Sequence, residues 1–199
     1  MTPSAKPTTA RIADEQPEEG DEALTTGNFH AAPLAVALDH VRNAISQAAS
    51  LSAARLSALM NPETSGLSPF LAENPGPDSG LMTFEYTVNS AAGELRLLAT
   101  PAASQSAVFI SQGVENHASF ASLAARQTTR AVGLLASVVG AELVAAIRAF
   151  RMHGALPAGR GVKEPFDDAA RRLPAAFHDR PLTEDLDTAT YLVLGEELS

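Results

Sequence analysis

Apolar residues spaced three and four positions apart predict that most of this chain is helical. After Pro33, a residue suited to a first helical turn, this spacing continues to Asn61-Pro62, where the helix should end. The stripe, apolar except for Ser52, consists of Leu34, Leu38, Val41, Ile45, Ala48, Ser52, Leu56 and Leu59. A period near 3.6 residues is that of an α-helix, so the sequence predicts a first long helix over residues 33–60.

The rest of the chain continues this pattern after one interruption. Residues 62–80 are rich in Pro and Gly and predict an irregular connection, of a length that is usually functional or interfacial. Further helices are expected over residues 81–99, 118–152, 163–173 and 182–194. Because no strand pattern accompanies them, we predict an all-α fold with the long helices packed as a bundle.

Charge divides the chain into two unequal parts. Residues 1–26 hold six acidic residues against Lys6 and Arg11, in a stretch rich in Pro, Thr and Ala. This composition predicts a disordered acidic tail, followed by one helical domain over residues 27–199. The tail has neither the apolar core of a secretory signal nor the Arg-rich character of a transit peptide, so we expect a cytoplasmic protein.

Composition excludes several classes of function. The 199 residues include no cysteine and carry a net charge of −9. Disulfides, thiolate metal sites and thiol nucleophiles are therefore excluded, and nucleic acid or an anionic membrane surface is an unexpected partner, since phosphate binding needs a basic face. His40 and His153 have no ligand partners at suitable spacing, so we expect no metal site.

Residues 27–150 are unusually poor in charge. They contain eight acidic residues and six arginines, 14 of 124 positions, whereas about 25% of a typical soluble domain is charged. Either a membrane span or helices buried by partner chains would explain this. The best membrane candidate, residues 131–147, contains Glu142 and is shorter than the roughly 20 apolar residues that a span needs. We therefore expect burial by partner chains.

Four motifs in order give the chain a family resemblance. They are Gly-Asn-Phe-His at 27–30, Ser-Pro-Phe-Leu-Ala-Glu-Asn at 68–74, Ser-Gly-Leu-Met at 79–82 and Gly-Val-Glu-Asn-His-Ala-Ser at 113–119. Their order and intervals resemble the C-terminal half of the aromatic amino acid ammonia-lyases, the family of histidine, phenylalanine and tyrosine ammonia-lyases and related aminomutases. The first and last motifs are most similar to those of the histidine enzymes.

This resemblance implies a prosthetic group and a partner. Enzymes of the family use a methylidene-imidazolone (MIO) electrophile, formed from an internal Ala-Ser-Gly, and are tetramers whose active sites combine several chains. That tripeptide, the catalytic tyrosines and the carboxylate-binding arginine belong to segments that precede the 27–30 motif in the family, and no Ala-Ser-Gly occurs here. Thr64-Ser65-Gly66 is the most similar triplet, but it lies in the loop before the 68–74 motif, where the family does not carry its electrophile. Its composition predicts a turn. We therefore expect MIO on a larger partner subunit, in a heterotetramer or higher heteromer that acts on an aromatic amino acid, with this chain inactive alone.

The resemblance also assigns site residues. Phe29 matches an aromatic residue beside the MIO ring, although a core Phe at a helix start is the alternative. Glu115 matches the glutamate that faces the substrate in the histidine enzymes, and a carboxylate stabilised by a helix N-terminus is its alternative. Asn28 and His117 also match, either as hydrogen-bond partners of the substrate region or as helix caps.

Two departures from the family leave the function open. Val114 replaces a glutamine and Asn116 an aspartate of the histidine enzymes, which points to another aromatic substrate, an aminomutase or a decayed site. Glu115, where phenylalanine-type relatives carry glutamine, favours a polar or basic substrate group. The leading hypothesis is the small subunit of a split MIO-dependent ammonia-lyase or aminomutase. The alternative is a non-catalytic structural or regulatory subunit that assembles with a lyase-like partner.

Overall fold

A computed structural model describes residues 30–105, 118–154 and 159–195. Within these ranges the chain forms six α-helices and no β-strand, which confirms the all-α class. The helices are α1 (Ala32–Met60), α2 (Pro62–Ser65), α3 (Met82–Leu98), α4 (Ala121–His153), α5 (Arg160–Arg172) and α6 (Thr183–Leu194). The five helices expected from the sequence all form, and their ends lie within about three residues of the expected ones. The predicted acidic tail, residues 1–26, lies outside the described residues.

The long helix α4 is the centre of the bundle, packing along α1 and also contacting α3 and α6. Large apolar side chains from α1, α3 and α4 fill the core, among them Leu56, Phe84, Leu95 and Ile147. Small residues let the helices come close. A Cβ atom on Gly140 of α4 would lie only 3.0 Å from the backbone nitrogen of Thr190 in α6.

Among the described helices, α4 alone is long and apolar enough to cross a bilayer by length and composition. The central helix of a helical core meets the same criterion, and α4 has α1, α3 and α6 around it. Glu142, within its apolar stretch, accepts hydrogen bonds from Ser52 (2.5 Å) and Arg55 (2.8 Å) of α1. The carboxylate is thus part of the contact between α1 and α4.

The apolar stripe predicted for α1 is only partly the face that the helix buries. Near its N-terminus, Leu34 and Val41 are 55% and 45% exposed, whereas Asp39 and Arg42 are buried. The stripe and the buried face coincide farther along, at Ile45, Ser52 and Leu56. The N-terminal half of α1 therefore packs inside this chain through a charged pair and leaves apolar side chains on the surface.

The irregular connection between α1 and α3 is an ordered loop. The residues Phe70 and Leu71 have positive φ angles of 54° and 55°, a conformation that costs free energy for residues other than glycine. The surrounding contacts hold this turn, since the N–H of Leu81 donates to the carbonyl of Phe70 (2.9 Å). Gly80, with a φ of 53°, lies against the same turn, and a Cβ there would be 2.5 Å from the Phe70 oxygen.

Candidate functional site

The four site residues predicted from the sequence lie outside the described residues. They are Asn28, Phe29, Glu115 and His117, and the two departures from the family pattern, Val114 and Asn116, lie outside as well. The structure does describe the chain on either side of them. His30 ends the first motif, Gln105 precedes the last one by several residues, and Ala118 belongs to it.

A buried carboxylate on α1 holds the segment that follows α3. The two oxygens of Asp39 accept hydrogen bonds from the N–H groups of Ala102 and Ala103, each at 3.0 Å. Asp39 also pairs with Arg42, three residues further along the same helix. Both oxygens of the Asp39 carboxylate therefore have hydrogen-bond donors within this chain.

Arg42 extends the same network to α4. Its side chain is fully buried, and its Nε donates to the carbonyl of Leu98 at 2.7 Å, at the end of α3. Its Nη1 donates to the carbonyl of Ala124 (3.1 Å) and to the hydroxyl of Thr128 (3.3 Å), in the first two turns of α4. A single guanidinium thus joins the N-terminal part of α1, the end of α3 and the start of α4.

The network favours the ionised form of Asp39. Burial acts to raise the pKa of its carboxyl, but the N–H groups of Ala103 and Ala102 and the Arg42 guanidinium outweigh burial and hold that pKa below its usual value. Asp39 is therefore ionised at neutral pH, and its negative charge is paired with the Arg42 guanidinium inside the protein.

A small apolar cluster lies beside this network. It consists of three almost completely buried alanines: Ala35 of α1, Ala102 after α3, and Ala124 of α4. Their small side chains let the three segments approach closely. We call the network of Asp39 and Arg42, together with this alanine cluster, the junction. In sequence, Asp39 follows the 27–30 motif by nine residues, Ala103 precedes the 113–119 motif by ten, and Ala124 follows it by five.

Sequence reasoning missed Asp39 and Arg42. A charged pair three residues apart on a helix usually lies on a solvated face. The available signal was their isolation, because they are the only Asp, Glu, Lys or Arg residues between positions 27 and 54. Two opposite charges inside such an apolar stretch indicate a buried pair.

The structure describes the triplet Thr64-Ser65-Gly66, which comes nearest to Ala-Ser-Gly, as a hydrogen-bonded turn. The hydroxyls of Thr64 and Ser65 donate to the carbonyl of Asn61, at 3.1 and 2.9 Å, and the N–H of Gly66 donates to that of Pro62 at 2.9 Å. Gly66 has the left-handed conformation that ends α2. The triplet is therefore a capped helical turn, in agreement with its interpretation from the sequence. The part of the chain that the structure describes also has no cluster of three potential metal ligands.

The sequence is similar to those of aromatic amino acid lyases. The family model described as aromatic amino acid lyase matches residues 7–171. Histidine ammonia-lyase from Bacillus subtilis is 32% identical over 180 residues, covering 90% of this chain and 35% of that protein. The enzyme of the same name from Deinococcus radiodurans is 36% identical over 170 residues, covering 85% of this chain and 32% of that protein. The chain spans about a third of the length of these relatives.

Solved structures agree with the sequence comparison. Histidine ammonia-lyase from Trypanosoma cruzi superimposes with a TM-score of 0.82 at 26% identity, covering 89% of this chain and 35% of that one. Phenylalanine aminomutase from Pantoea agglomerans gives a TM-score of 0.82 at 27% identity, covering 87% of this chain and 34% of that one. The helical arrangement around α4 is therefore shared with a lyase and with an aminomutase.

Proposed function

We propose that this chain, which belongs to the aromatic amino acid lyase family, supplies the C-terminal helical part of an MIO-dependent ammonia-lyase or aminomutase whose electrophile lies on another polypeptide. In this proposal Phe29 and Glu115 contribute to the active site, with Asn28 and His117 beside them. The substrate is an aromatic amino acid, and the carboxylate of Glu115 favours one whose side chain carries a polar or basic group.

The observation that supports this proposal is the junction. Asp39 and Arg42 connect the N-terminal part of α1, which follows the 27–30 motif, to residues 98–103, before the 113–119 motif, and to the start of α4, after it. Motifs that are some 85 residues apart in sequence thus have described neighbours joined by a buried, fully paired set of hydrogen bonds. An active site built from both motifs requires such a shared anchor, because catalytic groups must be held in place by their supporting structure.

The charge-poor surface supports a partner chain. In the part of the chain described, exposed apolar side chains lie on α1, α3 and α4, including Leu34, Val41, Leu97 and Val132. Exposed apolar surface of this kind marks protein interfaces. In the complete site, MIO on the other polypeptide would supply an electrophile for the substrate amino group. This chain contributes the aromatic ring of Phe29 beside MIO and the carboxylate of Glu115 near the substrate.

The proposal is tested by co-expressing this chain with a polypeptide of the same family that contains Ala-Ser-Gly. We expect the isolated chain to release no ammonia from histidine, phenylalanine or tyrosine, and the co-purified complex to release ammonia or form a β-amino acid. In that complex, Glu115→Gln should lower kcat/KM by about 100-fold or more, and Phe29→Ala by about 10-fold, as expected for groups that act on the reacting substrate.

The matched control is Glu94→Gln. Glu94 is an exposed carboxylate on α3 paired with Arg130 of α4, and its loss should leave turnover unchanged. An active complex in which Glu115→Gln and Phe29→Ala behave like this control would refute the site assignment. A stable complex without any turnover would favour the alternative, a non-catalytic subunit that assembles with a lyase-like partner, which the departures Val114 and Asn116 favour.

A further inference from the structure

An apolar cavity lies between the C-terminal half of α4 and the helices α5 and α6. Its volume is about 270 Å³, far more than the water-sized voids that close packing usually leaves. Larger apolar side chains line it together with Ala146 of α4 and Ala169 of α5. The methyl groups at these two positions leave space that larger side chains would fill, so the cavity has room for another molecule.

Two aromatic rings form part of the wall of this cavity. Phe150 of α4 and Phe166 of α5 both line it, and their rings meet edge to face, with centroids 5.3 Å apart and planes inclined by 74°. Aromatic rings favour offset or edge-to-face neighbours. A third flat ring inside the cavity extends this pair, which favours an aromatic occupant.

The lining of the cavity contains little polar chemistry. Of the described side chains that line it, Asp168 alone is charged and none is a hydrogen-bond donor. The carboxylate of Asp168 already accepts from Arg171 and Arg172 of α5, at 3.0 and 3.3 Å. A ligand carboxylate would lose its hydration without gaining a donor, and a ligand ammonium group would compete with two arginines for Asp168. The charges of the lining therefore select a neutral occupant.

Helix α5 covers the cavity with its apolar face. Val162, Phe166 and Ala169, spaced by four and three residues, line the cavity, whereas the ion pair of Lys163 with Asp167 (2.7 Å) is formed by exposed side chains. This spacing keeps apolar side chains on one face of a helix and charged ones on another. The apolar face of α5 therefore needs apolar neighbours, and the space of the cavity shows that α4 and α6 supply them only in part.

The cavity opens to solvent between α5 and α6. Val162 and Val193, which line it from these two helices, are 55% and 39% exposed. Pro165 of α5 lines the cavity as well. Because proline has no N–H, it cannot donate to the carbonyl of Gly161, and the first turn of α5 lacks one of its helical hydrogen bonds. This turn is therefore the part of the wall that its own helix holds least, and it borders the opening through which a ligand enters.

We propose that this cavity is a binding site for a neutral aromatic molecule of one ring or two fused rings. An apolar cavity of about 150 Å³ is large enough for benzene, so a volume of about 270 Å³ accommodates a bicyclic ring of the size of indole. The ring packs against Phe150 and Phe166, and Leu192 of α6 contributes to the remaining wall. The site lies entirely within described residues and does not depend on the proposed enzymatic function.

The first test is thermal unfolding of the full chain, isolated and in its co-expressed complex, with indole as the probe. At an indole concentration of ten times its Kd, Tm should be about 3 to 5 °C higher than without indole. Indole-3-carboxylate has the same ring and a negative charge, and at the same concentration it should raise Tm far less, because the lining offers its carboxylate no donor.

Two substitutions in the lining test the location of the ligand. Ala146→Leu fills the cavity from α4 and should abolish the effect of indole on Tm. The matched control is Ala125→Leu, the same change at an exposed position of the same helix, which should keep the full effect. If Ala146→Leu does not fold, Val162→Asp, which places a charge at the exposed opening, should reduce the effect at least by half.

Several results would overturn the proposal. They are an unchanged Tm in indole, an indole effect that survives Ala146→Leu or Val162→Asp, and an equal effect of indole-3-carboxylate. An indole effect that is present in the isolated chain but absent from the complex would also refute it, because a side chain of the partner would then be the occupant. Crystals soaked in 5-bromoindole should show an anomalous peak beside Phe150 and Phe166. A peak there without a rise of Tm in solution would mean binding at crystal concentration only, which contradicts the proposal.

Discussion

At the scale of single residues, several charged side chains of the described chain lie inside the protein and connect distant segments. Asp39 and Arg42 are buried as a pair, and Arg148 is buried against carbonyl groups. Each forms hydrogen bonds to backbone groups of segments that are distant in sequence. A charged side chain with several donors or acceptors can join more than two segments at once, which a methyl group cannot do.

We predict that Asp39→Asn destabilises the fold by about 2 to 4 kcal/mol at neutral pH, because Arg42 then becomes a buried charge without its counterion. The asparagine also places an NH₂ group where one of the two carboxylate oxygens accepts from a backbone N–H. Urea unfolding of the two proteins at pH 7 measures the difference. The control Asp168→Asn, which removes an exposed carboxylate of α5, should change stability by no more than about 0.5 kcal/mol.

The same pair predicts a pH dependence. The pKa of Asp39 is lower in the folded protein than in the unfolded chain, so its ionised form adds stability that is fully present above an unfolded pKa of about 3.9. That stability is lost as the pH falls through the lower, folded pKa. The gap between the wild type and Asp39→Asn should therefore stay constant from pH 7 to about 5 and narrow below about pH 4. If the difference in stability between the wild type and Asp39→Asn were as large at pH 2 as at pH 7, this prediction would be wrong.

At the scale of elements, hydrogen bonds to its backbone groups hold the connection between α1 and α3 in place. Its turn is stabilised by the hydrogen bond from Leu81 to Phe70 and by Arg148, which donates to the carbonyl of Leu71. Asp179 completes it from the C-terminal side by accepting from the N–H groups of Ser79 and Gly80. The two ends of the loop are therefore part of the packed core, where Leu71, Ala72 and Leu81 are buried, while residues 73–77 between them are exposed.

We predict that Gly80→Ala destabilises the protein by about 3 kcal/mol or more, because the new Cβ overlaps backbone atoms and the positive φ is itself unfavourable. That Cβ would lie 2.5 Å from the Phe70 oxygen and 2.8 Å from the Ala72 nitrogen. Gly66→Ala is the matched control, since Gly66 has a φ of 70° but no atom within 4 Å of the new Cβ. Gly66→Ala should destabilise the protein by about 1 kcal/mol, because only the unfavourable positive φ contributes. Equal losses of Tm for the two variants would show that the overlap does not matter.

At the scale of the whole molecule, the described bundle has a packed centre and apolar side chains on its outside. Its relatives are about three times as long as this chain, and the residues 27–150 are poor in charge. Large exposed side chains such as Leu51, Tyr86 and Leu97 add to this surface. We interpret it as the region that a partner chain covers in the proposed enzyme.

The two leucines Leu95 and Leu97 of α3 provide a test of this surface. Leu97 is 75% exposed and Leu95 only 1%. Because the isolated chain leaves this apolar surface uncovered, we expect it to self-associate. Leu97→Gln should reduce that association in sedimentation velocity while changing stability by no more than about 0.5 kcal/mol. Leu95→Gln should destabilise the bundle by about 3 kcal/mol or more, because it buries a polar group without a partner. Unchanged self-association of Leu97→Gln would remove this residue from the proposed interface.

The sequence alone determined the helices, because their apolar period and their Pro and Gly boundaries depend on neighbouring residues. It also determined the family, through four motifs in order. The tertiary structure decided which face of each helix is buried. In the N-terminal half of α1, Asp39 and Arg42 face the core while Leu34 and Val41 face outwards, since burying a charge depends on carbonyl and N–H partners far away in sequence. The apolar cavity between α4, α5 and α6 likewise exists only because these three helices pack together, a long-range arrangement that local patterns do not encode.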